Sequence, residues 1–439
     1  MNKKMNGQSR IGVKNCMAPV SAAVLLLLLA ACGAEKQQMT AEGPSGTTPV
    51  KKDPVKLVFY STAGWTQEAF NERFGDTMRK KFPEYEIEYV ASGKGMEFPD
   101  MLSAGAQIDV YWQAVDNTIP HLLQYKLEYD MTELIKKYGV NLNQLEPSSV
   151  EAARSMSNGK MYALPIVNNA AALYYNKDLF DKFGVPYLKD GVTWDEVIGV
   201  AKRMRRTDGG LEYYGIGSDV QPHLNLSSLS IPYVDPKTEK PTILTNGGWS
   251  TIFNQLIEMK KTTDYKSLNA SNFVQEKNLA MVDGLANAFL NFDMTTLNWD
   301  LVSYPSYKSA PGIASQPLPT MFGITSISKH KEAAAEVLAY MLSEEVQKSL
   351  SERAIIPVLQ SDTVMKAFAK NSKYKDKNFQ AILGKKFAPI TPKVTYEAKA
   401  RSIYGKYIQD LAKGTIDLNT AFRQIDEEMV KLIAEEKAK

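Results

Sequence analysis

Cysteine is almost missing from this 439-residue chain: it has two, Cys16 and Cys32. Both fall in the first 32 residues, so the rest of the chain has no disulfide and no cysteine-based metal site. Histidine is scarce as well. His121, His223 and His330 stand far apart and no pair has metal-ligand spacing, so no metal and no cofactor are expected. An excess of one charge is also lacking. Lys and Arg number 52 against 49 Asp and Glu, a formal +3, and four of the cations (Lys3, Lys4, Arg10, Lys14) precede residue 15 with no acid among them. Without residues 1–31 the balance is −1, which offers no basic surface to nucleic acid. The apolar run from Val20 to Leu29 is too short to span a bilayer, which needs about 20 apolar residues, and no second long run follows. There is no GxxxxGK[ST] phosphate loop, so the chain should not hydrolyse ATP, and GxSxG, HExxH and a nucleophilic cysteine are absent.

What is present begins at the N-terminus. A basic start, a short apolar core and small residues before a cut read as a secretory signal. Leu29-Ala30-Ala31-Cys32 resembles the lipobox of bacterial lipoproteins. That resemblance implies a signal peptide over 1–31, cleavage before Cys32 and lipid on Cys32, with the protein outside the cytoplasm and held to the membrane by its acyl chains. Each buried methylene of such a chain contributes about 0.8 kcal/mol. Residues 32–53, rich in Gly, Ser, Thr, Pro and charge, read as a flexible linker.

Order is expected from Val55. About 407 residues remain after the cut, more than one core accommodates comfortably, which favours two lobes. Lys56–Tyr60 reads as a buried strand, and Phe70, Phe74, Met78 and Phe82 recur as one helical stripe ending before Pro83. Tyr85, Ile87 and Tyr89 alternate with glutamates as a half-buried strand, and Ile108–Trp112 is another, a β-α-β order that predicts parallel pairing in an α/β fold. Thr193-Trp194-Asp195-Glu196 has the form of a capping box, and Ser343 before Glu344 and Glu345 that of an N-cap. Helices are expected over Thr251–Met259 and Ser271–Met281, a plain connection over 300–322, a strand over Phe322–Ile327 and a helical C-terminal region.

Several segments, in order, resemble one family: Ile108–Trp112, Tyr162–Val185, Thr193–Met204, Leu279–Met281 with Gly284, and Gly323–Gln347. They are similar to the extracellular solute-binding proteins of bacterial ABC importers, the maltose-binding-protein-like group. The resemblance implies a two-lobed periplasmic-binding-protein type II fold with a hinge of crossing strands. Lobe 1 would be 55–166 and 322–360; lobe 2 would be 167–321 and 361–439. It also implies no catalysis, a sugar or oligosaccharide held between the lobes, a monomer, and an ABC permease as partner.

A sugar ring presents C–H faces to aromatics and a rim of hydroxyls to short polar side chains. Just past strand ends, where open α/β sheets keep their sites, the candidates are Trp65, Trp112, Asp116 and Asn169. Gln221 and His223 flank Pro222 in a loop resembling a sugar-contacting one. A tryptophan that often follows Ala-Met-x-x-Gly in the family is missing after Gly284, where Leu285-Ala286-Asn287 stand, so Phe289, Phe292, Asp293 or Trp299 could replace it. Tyr396 completes the set. Two other readings stay open: a membrane-anchored polysaccharide hydrolase using two of Asp109, Asp116, Asp293 and Asp300, and a binding protein that reports its ligand to a membrane receptor.

Overall fold

Apolar runs long enough for one strand, separated by helical stripes, build two sheets. The computed structural model describes residues 55–290, 292–383 and 386–438; the signal segment, Cys32 and the whole of the linker lie outside the described residues. The strands are β1 (Val55–Ser61), β2 (Tyr85–Ala91), β3 (Val110–Ala114), β4 (Leu164–Asn168), β5 (Ala171–Asn176), β6 (Arg206–Asp208), β7 (Leu211–Gly217), β8 (Leu279–Leu285), β9 (Trp299–Ser303), β10 (Thr320–Ile324) and β11 (Ile356–Pro357). One sheet has the order β11-β4-β10-β3-β1-β2 and the other β6-β7-β8-β5-β9. Each sheet with its helices is a lobe, so the architecture is the two-lobed α/β fold.

In the first lobe β1 runs parallel to β2 and β3, while β10 lies antiparallel between β3 and β4, pairing Phe322 with Trp112. The stripe Phe70, Phe74, Met78 and Phe82 is buried against this sheet. It is carried by one continuous helical segment with a π turn over Asn71–Gly75 between α-helical Gln67–Phe70 and Asp76–Lys81. The helix Val115–Gln124 was hard to see in the sequence because Pro120 lies inside it; burial of Val115, Ile119 and Leu122 outweighs the lost backbone bond.

In the second lobe the Thr193 capping box forms, with Thr193 Oγ1 accepting from Glu196 N and Glu196 Oε2 accepting from Thr193 N. Gly184 and Gly414 close their helices at positive φ, a conformation that glycine adopts without a Cβ clash. Two expectations are corrected. The helix after Ser271 stops at Gln275, and Leu279–Met281 open β8, because every residue from Leu279 to Asp283 is buried inside a sheet. Residues 300–303, expected to open a connection over 300–322, belong instead to strand β9 (Trp299–Ser303), which pairs with β5 and carries a fully buried Trp299. No described helix is long and apolar enough to cross a membrane.

The helix Trp194–Met204 lies so close on β7 that a Cβ on Gly215 would stand 2.8 Å from Ala201 Cα and its carbonyl carbon. Backbone cannot rotate away as a side chain can. Gly215→Ala is therefore expected to destabilise the protein by about 1–3 kcal/mol, read as a lower urea midpoint.

Candidate functional site

The chain passes from the first sheet to the second through only Asn169 and Ala170, between β4 and β5, and returns between β9 and β10. A third passage after β11 leads to the C-terminal helices packed on the second lobe. The first two crossings are tied together where Leu318 N donates to Asn169 O at 2.8 Å. Above them, at the carboxyl ends of β1, β3 and β4, opens a cavity of about 530 Å³. Open α/β sheets place ligands at this position because loops and helix starts converge there.

The first lobe supplies Thr62, Trp65, Arg73, Trp112, Gln113 and Asn168 to the walls; Asn169, Leu318 and Thr320 form the hinge side, and Leu285 and Asn287 come from the second lobe. Trp112 is 1 % exposed and stacks on Phe322 at 5.4 Å, while the half-buried Trp65 meets it edge-on at 4.9 Å. The Arg73 guanidinium lies 4.4 Å from the centre of the Trp65 ring.

Three amides share one orientation. Gln113 Oε1 accepts from Ala114 N (2.8 Å), Asn168 Oδ1 from Asn169 N (2.9 Å) and Asn169 Oδ1 from Ala170 N (3.0 Å). A backbone N–H can only donate, so each side-chain oxygen accepts one. Gln113 Nε2 also donates to Thr62 Oγ1 at 3.4 Å, while the NH2 groups of Asn168 and Asn169 stand without a partner among the described residues. Asn168 Nδ2, Trp112 Nε1 and Asn287 Oδ1 have no hydrogen-bond partner within the protein.

Of the nine residues singled out in the sequence, Trp65, Trp112 and Asn169 come together here. The other six do not line the cavity. Asp116 turns to the second lobe, where Arg401 Nη1 donates to its Oδ2 at 3.0 Å and Asn225 Nδ2 at 3.2 Å. Lys393 Nζ in turn donates to Asn225 Oδ1 and pairs with Glu397, both side chains being nearly fully buried. Gln221 is exposed on the helix Val220–Asn225, and His223 is buried inside the lobe. Asp293 is exposed and accepts from Thr295 Oγ1; Trp299 is core; Tyr396 packs half-buried against the C-terminal helices. Phe289 is core too, and after Gly284 it is Leu285 and Asn287 that line the cavity. Sequence reading missed Arg73, Gln113, Asn168 and Asn287. Asn168 was legible, since it adjoins Asn169; Arg73 was hidden as a polar neighbour of a core stripe.

A sequence profile for the family described as bacterial extracellular solute-binding protein matches residues 61–348, more than half of the chain. The chain belongs to this family. A member of that family works outside the cytoplasm. A binding protein of Brucella abortus (strain 2308) is 25 % identical over 264 residues, 54 % of this chain and 60 % of that protein, so the match spans less than two thirds of the relative's length. An ABC substrate-binding protein from Listeria monocytogenes, solved in complex with cycloalternan, superposes with TM-score 0.71 at 17 % identity over 87 % of this chain and 100 % of that one. An ABC transporter solute-binding protein from Thermotoga lettingae, solved with α-D-tagatose, gives TM-score 0.67 at 18 % identity over 86 % and 100 %. These two likenesses are of fold.

The geometry offers a hydrolase little. None of Asp109, Asp116, Asp293 and Asp300 lines the cavity. Asp109 is fully buried, accepting from Val58 N (2.9 Å) and Ser328 Oγ (2.6 Å). The nearest approach to a catalytic triad is Ser218, His223 and Asp283. Yet Ser218 Oγ (2.8 Å) and Asp283 Oδ2 (2.7 Å) both meet His223 Nε2, whereas a relay needs them on opposite ring nitrogens. Among the described residues no group of His, Cys, Asp or Glu converges as metal ligands would.

Asp116 and Arg401 join the two lobes by a 3.0 Å ion pair. Removing one member of a buried pair leaves the other charge uncompensated, at a cost of about 3–5 kcal/mol, and opening the lobes lets water relieve it. Arg401→Ala is therefore expected to enlarge the radius of gyration in small-angle X-ray scattering without unfolding the protein. An unchanged scattering profile would contradict a latch.

Proposed function

We propose that this solute-binding protein captures a sugar or oligosaccharide between its lobes by domain closure and hands it to the permease of an ABC transporter. The observation that carries the reading is the hinge cavity itself, where two indoles adjoin amide groups and both lobes contribute to the wall. Aromatic carbon suits the C–H surface of a pyranose, and amides suit its hydroxyls. A solute touching both lobes gains contacts in the closed form that the open form lacks, and only that difference shifts the population. The cycloalternan and tagatose ligands of similarly folded proteins agree with a saccharide.

The protein acts as a monomer and performs no covalent chemistry; ATP is consumed by other subunits. Trp65, Trp112 and Asn169 contact the ligand, with Asn168 and Asn287 beside them. The chain is held at the membrane by lipid on Cys32, with 32–53 as the tether. A micromolar dissociation constant corresponds to about −8 kcal/mol.

A thermal-shift screen with a saccharide panel tests the reading, because a ligand bound by the native state alone raises Tm with concentration. At least one saccharide is expected to do so, and Asn287→Ala to weaken it roughly tenfold, about 1.4 kcal/mol. A shift produced only by peptides or amines would end the saccharide assignment. Separately, Cys32→Ala is expected to abolish incorporation of a labelled fatty acid and release the protein from membranes.

A further inference from the structure

We infer, on the basis of the saccharide reading above, that the captured solute carries an acidic group, a carboxylate or a phosphate, which Arg73 receives at the Trp65 side of the cavity.

Arg73 is the one charged residue among those lining the cavity, and no carboxylate stands on its walls. Among the described residues the guanidinium makes no ion pair and no hydrogen bond; its close contact is the face of Trp65 at 4.4 Å. Five N–H donors in a fixed fork are thus uncommitted, in the geometry that suits a carboxylate or phosphate.

The neighbourhood holds a second cation, Arg353, and one acid, Glu72, whose effect on Arg73 is the smaller of the two. Arg353 lies close enough for its charge to be felt at Arg73, and its own N–H groups are spent on the backbone oxygens of Glu72 (2.6 Å) and Ser349 (3.3 Å). Burial first, and then the Arg353 charge, push the Arg73 pKa down to about 10, so it remains cationic at neutral pH and gains from an anion that offsets both effects.

The rest of the wall points the same way. Asn168 and Asn169 have their oxygens bonded to backbone N–H groups and their NH2 groups turned to the cavity wall, while Gln113 Nε2 donates to Thr62 Oγ1. Asn168 Nδ2 and Trp112 Nε1, on residues at least nine-tenths buried, have no partner in the protein. A neutral sugar brings a hydroxyl proton to nearly every rim position and needs acceptors to take them. Among the wall's side-chain acceptors Asn287 Oδ1 has no partner in the protein, whereas Thr62 Oγ1 already meets the Tyr111 hydroxyl and Gln113 Nε2. Its surplus of donors matches a ligand with a surplus of acceptors.

The test is calorimetric titration of the intact protein with digalacturonate and with glucose 6-phosphate, each beside a neutral counterpart, galactobiose and glucose. One of the two acidic probes is expected to bind at least 100-fold tighter than its counterpart, with affinity falling as salt rises; which one does so separates a carboxylate from a phosphate ligand. Arg73→Gln is expected to remove at least tenfold of that affinity and Arg73→Lys to restore part of it. Neutral saccharides binding as well as or better than the acidic ones, with Arg73→Gln within twofold of the parent, would overturn this inference and leave the saccharide reading intact. Failure of every saccharide, acidic or neutral, would remove both. The comparison of acidic and neutral probes uses the unaltered protein and stands even if a variant folds poorly.

Discussion

Two residues of backbone, Asn169 and Ala170, are all that separate the last β4 position from the first of β5. So short a link cannot let the sheets drift apart, and it fixes where a space between them can open. The second crossing is bonded to the first through Leu318 N and Asn169 O. Nearby backbone and side-chain groups are satisfied across the same seam: Ser315 Oγ accepts from Ala171 N, and Gln316 bonds to Leu226 O, Ser227 O and Thr391 N. Buried polar backbone at a crossing would otherwise be costly, and these bonds give the hinge a defined geometry.

The charges near that hinge are divided into two kinds. Asp116, Arg401, Lys393 and Glu397 answer one another in a mostly buried group that reaches from one lobe to the other, together with Asn225. Arg73 stands apart on the cavity wall with an aromatic face beneath it. The paired set bridges the two lobes, and the unpaired cation faces the space between them. Those are different tasks, and only the second has a side chain without a counterpart among the described residues.

The aromatic content of the cavity is likewise divided. Trp112 is nearly enclosed by Phe322, Phe70 and Trp65, so it acts first as a wall that keeps the strand ends packed. Trp65 is the more open of the two. On the second lobe the large rings retreat: Phe289 and Trp299 stack at 6.4 Å within the core, and Leu285 and Asn287 face the space instead. A smaller and more polar wall on that side leaves room for a hydrated substituent.

The sequence by itself determined the helix caps at Thr193 and Ser343, the stripe from Phe70 to Phe82 and the β-α-β order behind the α/β class, because each depends on neighbours close in the chain; the two-lobed fold was implied by the resemblance of several segments to one family. The sequence also marked Trp65, Trp112 and Asn169, which lie at or shortly after the carboxyl ends of β1, β3 and β4. Tertiary structure decided the rest. Leu279–Met281 are helical by pattern yet strand by burial, since β5 and β7 flank them with open backbone groups. Asp116 looks like a sugar contact until Arg401, 285 positions away, claims its carboxylate. Arg73 looks like a surface cation until the π turn and the Trp65 ring bring it to the cavity. Partners distant in sequence meet only once the chain has folded, and the pairing of charges and donors is settled by those meetings.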